Sequence, residues 1–197
     1  MTITYEQYRY TNGKHSNEKW NKEIISIARR NKFYMGQIKA IINGDCWGIQ
    51  NHQIIVCIKT GTKNHKVIGF IIYEPNHLCF HNKERMVNNI MYWCVDDAYR
   101  WLGYGKELYE RCIKDANEYG IVNCCLSFKK DDEKLTKLYT ELGYKYIPKY
   151  DGVEQKGEDD HHTKWFKIVI SSYKIPVFSM IKTDDPEPPT TLLDLLE

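Results

Sequence analysis

Two kinds of hydrophobic spacing alternate along this chain, and together they predict an α/β protein. Compact runs of β-branched and aromatic residues predict buried strands, and apolar residues spaced three or four apart predict amphipathic helices. The predicted strands are residues 4–10, 53–60, 66–73, 88–95, 121–128, 144–150 and 163–170. The predicted helices are one opened by Ser16, one over 34–42, one whose apolar face begins at Leu102 and that stops at Gly120, and one over 131–142.

Capping and turn residues set the expected ends of these elements. Ser16 has a side chain that can cap the first helix, and Asp131 or Asp132 can cap the last one. The polar stretch 61–65 predicts a hairpin between its two flanking strands. Pro75 is expected to end the second strand of that hairpin.

The stretch from Asn88 to Tyr119 combines a strand, a glycine turn and a helix. The strand runs to Val95, the turn contains Gly103 and Gly105, and the helix follows at once. Glycines allow backbone N–H groups to converge, and the positive end of a helix dipole favours an anion there. The sequence therefore predicts a phosphate-binding cradle at the start of this helix.

Two motifs in this chain resemble the GCN5-related N-acetyltransferase (GNAT) family. In the first, a strand ends at Val95, four residues intervene, and Arg100, Gly103 and Gly105 follow in the family's acetyl-CoA-binding spacing. The second is the stretch Leu138-Tyr139-Thr140-Glu141-Leu142-Gly143-Tyr144, which is similar to the family's Leu-Tyr-Glu-Lys-Leu-Gly-Phe. This second motif lies on the last predicted helix, one strand after the glycine turn, where the family's fold requires it.

The resemblance implies a GNAT fold, in which helices flank a mixed central β-sheet, as a single domain with a C-terminal extension. The domain is expected over residues 1–170. Residues 171–183 are expected to form an extra strand or a segment packed on the domain, and residues 184–197 an acidic, proline-rich linker and a leucine-rich tail. A helix over Leu192–Leu196 is too short to be stable alone, so the tail is expected to dock on the domain, on a second copy or on a protein partner.

The resemblance also implies a reaction and the residues that carry it. Acetyl-CoA is the implied co-substrate, no metal is implied, and a neutral amine attacks the thioester directly. The backbone N–H of Val95 is the implied oxyanion donor, and Tyr139 is the implied general acid for the leaving thiolate. The implied cofactor-binding residues are Trp93, Cys94, Val95, Arg100, Trp101, Leu102, Gly103, Tyr104, Gly105, Lys106, Asp132 and Tyr139. Cys94 leaves an acyl-cysteine route open, although a strand cysteine without a neighbouring histidine is more typical of packing.

Two departures from the family's pattern keep a second function open. Asp132 stands where the family usually has asparagine, so the side chain keeps an acceptor oxygen but loses the amide donor. No general base is identified, because Ser127 stands where enzymes that acetylate protein N-termini often carry glutamate. The candidates are Glu84, Asp96, Asp97, His77, His81, His161 and His162, each of which also fits a solvated surface position. The alternative function is a catalytically silent module of the same fold that binds coenzyme A or a partner.

Composition narrows the partners and the cellular context. The formal net charge is +2, but residues 184–197 carry five acids and no base, so the rest of the chain is more basic than the whole. A basic body suits a polyanionic cofactor, and no arginine-rich helix or basic–aromatic stripe points to nucleic acid. The acidic stretch 154–160 would attract a cationic amine acceptor, although it also fits an ordinary solvated loop. Seven cysteines without C-x-x-C spacing, no apolar run of membrane-spanning length and no signal peptide predict an intracellular protein, cytoplasmic or nuclear.

Overall fold

The computed structural model describes residues 2–11, 14–15, 19–33, 35–43, 51–61, 65–80, 83–129, 132–147 and 177–182. The chain divides into two compact units. Unit 1 comprises Met1–Pro75 and Ile90–Gly120, and unit 2 comprises Asn76–Asn89 and Ile121–Glu197.

Strands and helices follow one another along the described chain as the α/β pattern predicts. The strands are β1 (Thr2–Thr11), β2 (Lys14–His15), β3 (Asn51–Thr60), β4 (His65–Phe80), β5 (Lys83–Val95), β6 (Asn123–Lys129), β7 (Lys145–Ile147) and β8 (Val177–Lys182). The α-helices are α1 (Asn21–Arg30), α2 (Met35–Asn43), α3 (Tyr104–Glu118) and α4 (Glu133–Glu141), and a 3₁₀ turn covers Asp97–Tyr99.

In unit 1 the strands lie in the order β2-β1-β3-β4-β5. β1 runs antiparallel to β3, starting with Thr2 opposite Thr60. β3 runs antiparallel to β4, as the predicted hairpin requires. Residues 54–58 of β3 and 67–73 of β4 are buried whichever face they point to. Burial on both faces explains why these two strands have uninterrupted apolar sequences.

Helices cover both faces of the unit 1 sheet, as two adjacent residues of β5 show. Trp93 stacks on Tyr109 of α3, with ring centroids 5.2 Å apart. Tyr92 donates a hydrogen bond to Gln37 of α2 at 3.0 Å. Because neighbouring residues of a strand point to opposite faces, α3 lies on one face and α2 on the other. The predicted α/β class, a mixed sheet flanked by helices, is confirmed.

In unit 2 the strands lie in the order β5-β6-β8-β7. β8 runs antiparallel to β6, with Cys124 opposite Lys182, and antiparallel to β7, with Lys145 opposite Ile181. β8 therefore lies between two strands that precede it in the chain. It falls within residues 171–183, where an extra strand is predicted, whereas the predicted strand over 163–170 lies outside the described residues.

Several predicted ends are confirmed by backbone geometry. α3 stops before Gly120, whose φ of +73° suits glycine and whose N–H donates to the Asn117 carbonyl at 2.9 Å. Asp132 caps α4, because its Oδ1 accepts the Leu135 N–H at 3.1 Å. Gly143, with a φ of +88°, follows the end of α4. These positions are predictable because each depends on a few neighbouring residues.

Two predicted boundaries are wrong. Ser16 lies outside the described residues, but α1 begins only at Asn21, after Trp20 as N-cap residue, without a side-chain capping bond. Burial replaces the cap, because the Trp20 side chain is 3% exposed and its Nε1 donates to Glu6 at 2.7 Å. Pro75 does not end β4, which continues to Phe80. The register with β3 reaches only Tyr73, so β3 requires no N–H from Pro75.

Leu102 is also misplaced by the sequence prediction. α3 begins at Tyr104, so Leu102 belongs to the turn before it, and its side chain is 61% exposed. The buried face of α3 instead comprises Leu108, Tyr109, Cys112, Asp115 and Ala116.

Three further findings concern membrane-spanning helices, metal-binding groups and cysteines among the described residues. No helix among them is both long and apolar enough to cross a membrane. No three of their His, Cys, Asp or Glu side chains are grouped so that they could hold a metal ion. Among the cysteines whose side chains the structure describes, Cys57, Cys94, Cys112, Cys124 and Cys125 are free thiols.

Candidate active site

The turn between β5 and α3 forms a cradle of backbone N–H groups. Gly103 is the N-cap residue of α3, and its carbonyl accepts the first helical hydrogen bond, from the Glu107 N–H at 3.1 Å. The N–H groups of Tyr104, Gly105 and Lys106 therefore have no acceptor within the helix. Unpaired N–H groups and the positive end of the helix dipole favour an anion at this position.

The two glycines of the turn differ in whether the structure requires glycine at that position. Gly103 has a φ of +89°, and a Cβ there would meet no atom within 4 Å, so backbone conformation alone selects glycine. A Cβ on Gly105 would lie 3.6 Å from Cγ2 of Val95 and 3.7 Å from Nε1 of Trp93. These are ordinary van der Waals distances, so the space beside Gly105 would admit a Cβ.

Trp93 holds β5 against the start of α3. Its Nε1 donates a hydrogen bond to the Gly105 carbonyl at 3.1 Å. The stacking of its indole on Tyr109 adds a second contact one turn further along the helix. On the neighbouring strand, a Cβ on Gly69 would lie only 3.0 Å from the Cys94 carbonyl oxygen. Close approach at Gly69 and the contacts of Trp93 together fix the end of β5.

The N–H of Val95 points to the side of β5 opposite to β4. The N–H of the next residue, Asp96, donates to the Ile68 carbonyl on β4 at 2.8 Å. Because backbone groups of successive residues in a strand point to opposite sides, the Val95 N–H points the other way. The Val95 N–H can therefore donate to an acceptor that does not belong to the unit 1 sheet.

Cys94 is placed as a packing residue. Its side chain is on the face opposite to Trp93 and Val95, and the residue is 6% exposed. Burial raises the pKa of the Cys94 thiol to about 12. A thiol that remains protonated at neutral pH is a poor nucleophile, so the structure supports packing over the acyl-cysteine route.

The side chain of Arg100 binds groups of the turn and of α1. Its Nε donates to the Val95 carbonyl at 3.2 Å, and its NH2 lies 2.8 Å from Oδ1 of Asp97. The same NH2 donates to the side chain of Asn31, the C-cap residue of α1. Arg100 therefore connects the end of β5 to the end of α1.

Asp96 makes a second connection between β5 and α1. The Asp96 carboxylate lies 2.6 Å from NH2 of Arg30 and 3.6 Å from Nζ of Lys66, and its side chain is 10% exposed. These two ion pairs give Asp96 a structural role, because they hold the end of β5 against α1 and β4. Asp97 is exposed and paired with Arg100.

Tyr139 lies in unit 2, on the buried side of α4. Its side chain is 8% exposed, and its ring meets that of Tyr144 edge-on, with centroids 6.0 Å apart. The Tyr144 hydroxyl in turn donates to Sγ of Cys124 at 2.9 Å. Burial, reinforced by the charge of Asp132, raises the pKa of the Tyr139 phenol. Tyr139 is therefore a protonated hydrogen-bond donor at neutral pH.

The sequence model of the acetyltransferase (GNAT) family matches residues 19–144, which include the glycine turn and α4. The chain belongs to the GNAT family. Membership confirms the predicted class, an acetyltransferase that uses acetyl-CoA. Among curated proteins, no sequence matches this chain.

Solved structures with similar folds are consistent with membership in the GNAT family. Arabidopsis thaliana NAA60 in complex with a bisubstrate analogue has a TM-score of 0.58 at 14% identity, over 93% of this chain and 100% of that chain. Ard1 from Thermoplasma volcanium has a TM-score of 0.57 at 15% identity, over 92% and 97%. The PaiA N-acetyltransferase from Thermoplasma acidophilum, in complex with coenzyme A, has a TM-score of 0.52 at 13% identity, over 93% and 99%.

The predicted site residues of this GNAT chain fall into two groups. Those from Trp93 to Lys106 lie together around the cradle in unit 1, and Asp132 and Tyr139 lie together on α4 in unit 2. The cradle fits the phosphates of acetyl-CoA, because the N–H groups at the start of α3 lack helical acceptors and Gly103 adopts the conformation that exposes them. One oxygen of Asp132 is already used to cap α4.

The general base is not identified among the described side chains. Glu84, His77, His81, His161, His162 and Ser127 lie outside the described side chains. Glu74, a carboxylate that the sequence analysis did not single out, is 5% exposed on β4. Glu74 is six residues from Ile68, whose carbonyl binds the Asp96 N–H, so about 20 Å of strand separates it from the end of β5. Direct proton transfer over that distance is excluded.

Proposed function

We propose that this GNAT chain transfers the acetyl group of acetyl-CoA to a primary amine of a peptide, a protein or a polyamine. The amine is cationic in solution and attacks in its neutral form, after its extra proton has passed to solvent. The observation that carries this proposal is the cradle at Gly103–Lys106 directly beside the end of β5. Bound acetyl-CoA supplies the acetyl group as a thioester. The cradle binds its phosphates, and the basic body of the chain attracts its negative charge.

The Val95 N–H is proposed to donate a hydrogen bond to the thioester carbonyl oxygen. A donor fixed by a strand end needs no reorganisation when negative charge develops on that oxygen. Trp93, Gly69 and Arg100 support this role, because their contacts fix the backbone on either side of Val95.

Tyr139 is proposed to stabilise the leaving thiolate. Its raised pKa keeps the proton on the phenol until the thiolate forms. A thiol has a pKa of roughly 8.5, so it is a stronger acid than this buried phenol. Tyr139 therefore acts mainly through a hydrogen bond to sulfur, and solvent completes the protonation.

The acceptor is proposed to be an amine because of the resemblance and because similar folds include a protein named as an N-acetyltransferase. Asp132 is proposed to contact the pantetheine arm with the carboxylate oxygen that does not cap α4. The leucine-rich tail over 184–197 lies outside the described residues and is proposed to dock on a protein partner or a second copy.

Calorimetry with acetyl-CoA, followed by thiol release in the presence of peptides with free N-termini, free lysine and polyamines, tests the proposal. Saturable binding of acetyl-CoA with release of free thiol in the presence of at least one amine is the expected result. Binding without turnover on any of these amines would instead support the catalytically silent module.

A further inference from the structure

Trp101 has two unusual properties at once. Its side chain is 84% exposed, the largest value among the exposed large hydrophobic residues of the described chain. Its φ is +65°, and Lys32 is the other non-glycine residue with positive φ among those described. Both properties are unfavourable for a tryptophan. Exposure of the apolar indole to water costs free energy, and a Cβ is crowded in the left-handed conformation. Packing within the described chain does not compensate for them.

The surroundings of Trp101 hold the strained backbone in place. Arg100, immediately before it, binds the Val95 carbonyl and Asp97. Gly103, two residues after it, begins α3. Strained residues that are fixed by their neighbours in this way cluster at ligand-binding sites.

The position of Trp101 beside the cradle indicates its ligand. The Cα atoms of Trp101 and Gly103 are at most about 7 Å apart, because they are separated by two peptide units. In coenzyme A the adenine base is one sugar away from the phosphates that the cradle would bind. Bases stack on aromatic side chains irrespective of base identity, so an exposed indole is a suitable platform.

We propose that the indole of Trp101 stacks on the adenine base of acetyl-CoA, an inference that rests on the proposed function. The left-handed conformation at Trp101 presents the side chain to solvent, where a ligand held by the cradle extends. Trp101 then contributes to affinity for the whole coenzyme and contributes nothing to binding of the pantetheine arm.

The test compares coenzyme A with 4′-phosphopantetheine, which lacks the adenosine part, by calorimetry on the full chain. Trp101→Ala and Trp101→Gly remove the indole, and the glycine variant also relieves the positive φ. Both are expected to bind coenzyme A about 10-fold or more weakly, with unchanged affinity for 4′-phosphopantetheine. Trp101→Phe keeps a smaller ring and is expected to lose less. Tyr119→Ala, at an aromatic residue that is 52% exposed at the opposite end of α3, is the matched control and should change neither affinity.

Tryptophan fluorescence provides a readout that does not depend on affinity. Coenzyme A should quench the wild-type chain more than Trp101→Phe, and 4′-phosphopantetheine should not distinguish them. Unchanged coenzyme A affinity in Trp101→Ala and Trp101→Gly, or equal weakening of both ligands, would overturn the inference and leave the proposed function intact. A wild-type chain that binds neither ligand would overturn both.

Discussion

The guanidinium of Arg30 lies 2.6 Å from the carboxylate of Asp96, the residue directly after Val95. The two residues are 66 positions apart in the chain, so α1 fixes the end of the strand that carries the proposed oxyanion donor. A comparable pair, Arg9–Asp115 at 3.3 Å, lies elsewhere in unit 1. The arginine side chains are 48% and 47% exposed and the carboxylates 10% and 8%, so the two pairs differ mainly in location.

Arg30→Ala should destabilise the protein by about 1–3 kcal/mol and lower turnover several-fold. Among the described residues, the substitution leaves the nearly buried Asp96 carboxylate with one ion pair, to Lys66 at 3.6 Å. Arg9→Ala is the control and should reduce stability without a specific loss of turnover. Urea unfolding and initial rates check both variants, and equal losses of turnover would show that Arg30 has no special effect on the site.

Tyr139→Phe should lower turnover by about 10²-fold with little change in acetyl-CoA affinity. Loss of the hydroxyl removes the hydrogen bond to the leaving sulfur and leaves the ring packed on Tyr144. Because the pKa of Tyr139 is raised, the wild-type rate should show no loss from ionisation of this phenol between about pH 6 and 9. Near-normal rates for the variant throughout that range would show that Tyr139 serves in packing and that its hydroxyl has no role in turnover.

Gly103→Ala should reduce both stability and acetyl-CoA affinity, whereas Gly105→Ala should reduce neither. An alanine at the φ of +89° costs about 1–2 kcal/mol, and a Cβ on Gly105 would make an ordinary 3.6 Å contact with Val95. Gly120→Ala is the matched control, because its φ of +73° imposes similar strain at the opposite end of α3. It should lower the melting temperature and leave affinity unchanged. If all three variants bound acetyl-CoA with equal affinity, the cradle would not be the cofactor-binding site.

The protein should lose stability as pH rises above about 10, partly through Tyr73. Burial is the main cause of the raised pKa of Tyr73, whose hydroxyl donates to Asp115 at 2.9 Å. The sign follows because the unfolded phenol loses its proton near pH 10 while the folded one keeps it, so unfolding becomes more favourable. Urea unfolding between pH 8 and 11 should show a decline that Tyr73→Phe flattens by up to about 1.4 kcal/mol per pH unit. An identical decline in the variant would exclude Tyr73 as a source.

Removal of residues 184–197 should leave acetyl-CoA affinity and turnover nearly intact while changing oligomeric state or partner capture. The prediction rests on the break between a basic body and an acidic, proline-rich segment that ends in leucines. Light scattering and rate measurements check it. Loss of several degrees of melting temperature together with activity would show that the tail belongs to the folded core.

Local signals made part of this site predictable from sequence. The strand that ends at Val95, the glycine turn and the stop at Gly120 depend on neighbouring residues, and the structure has them. The start of α1 was missed because burial of Trp20, rather than a capping side chain, sets it. The position of β8 between β6 and β7 depends on pairing between residues far apart in the chain.

The contacts around the proposed site could not be predicted for the same reason. Arg30–Asp96 and the hydrogen bond between Trp93 and Gly105 depend on how α1, β5 and α3 pack in three dimensions. Exposure of Trp101 and its left-handed backbone also contradict ordinary residue preferences, which would place glycine or a polar residue there.

Tandem mass spectrometry of amine acceptors incubated with the full chain and acetyl-CoA tests the central claim most directly. Peptides with free N-termini and polyamines serve as acceptors, and Tyr139→Phe is measured in parallel. The account predicts an acetyl group on an acceptor nitrogen, formed about 10²-fold more slowly by the variant. Absence of any acetylated amine from the wild-type chain, under conditions where calorimetry shows acetyl-CoA bound, would contradict it.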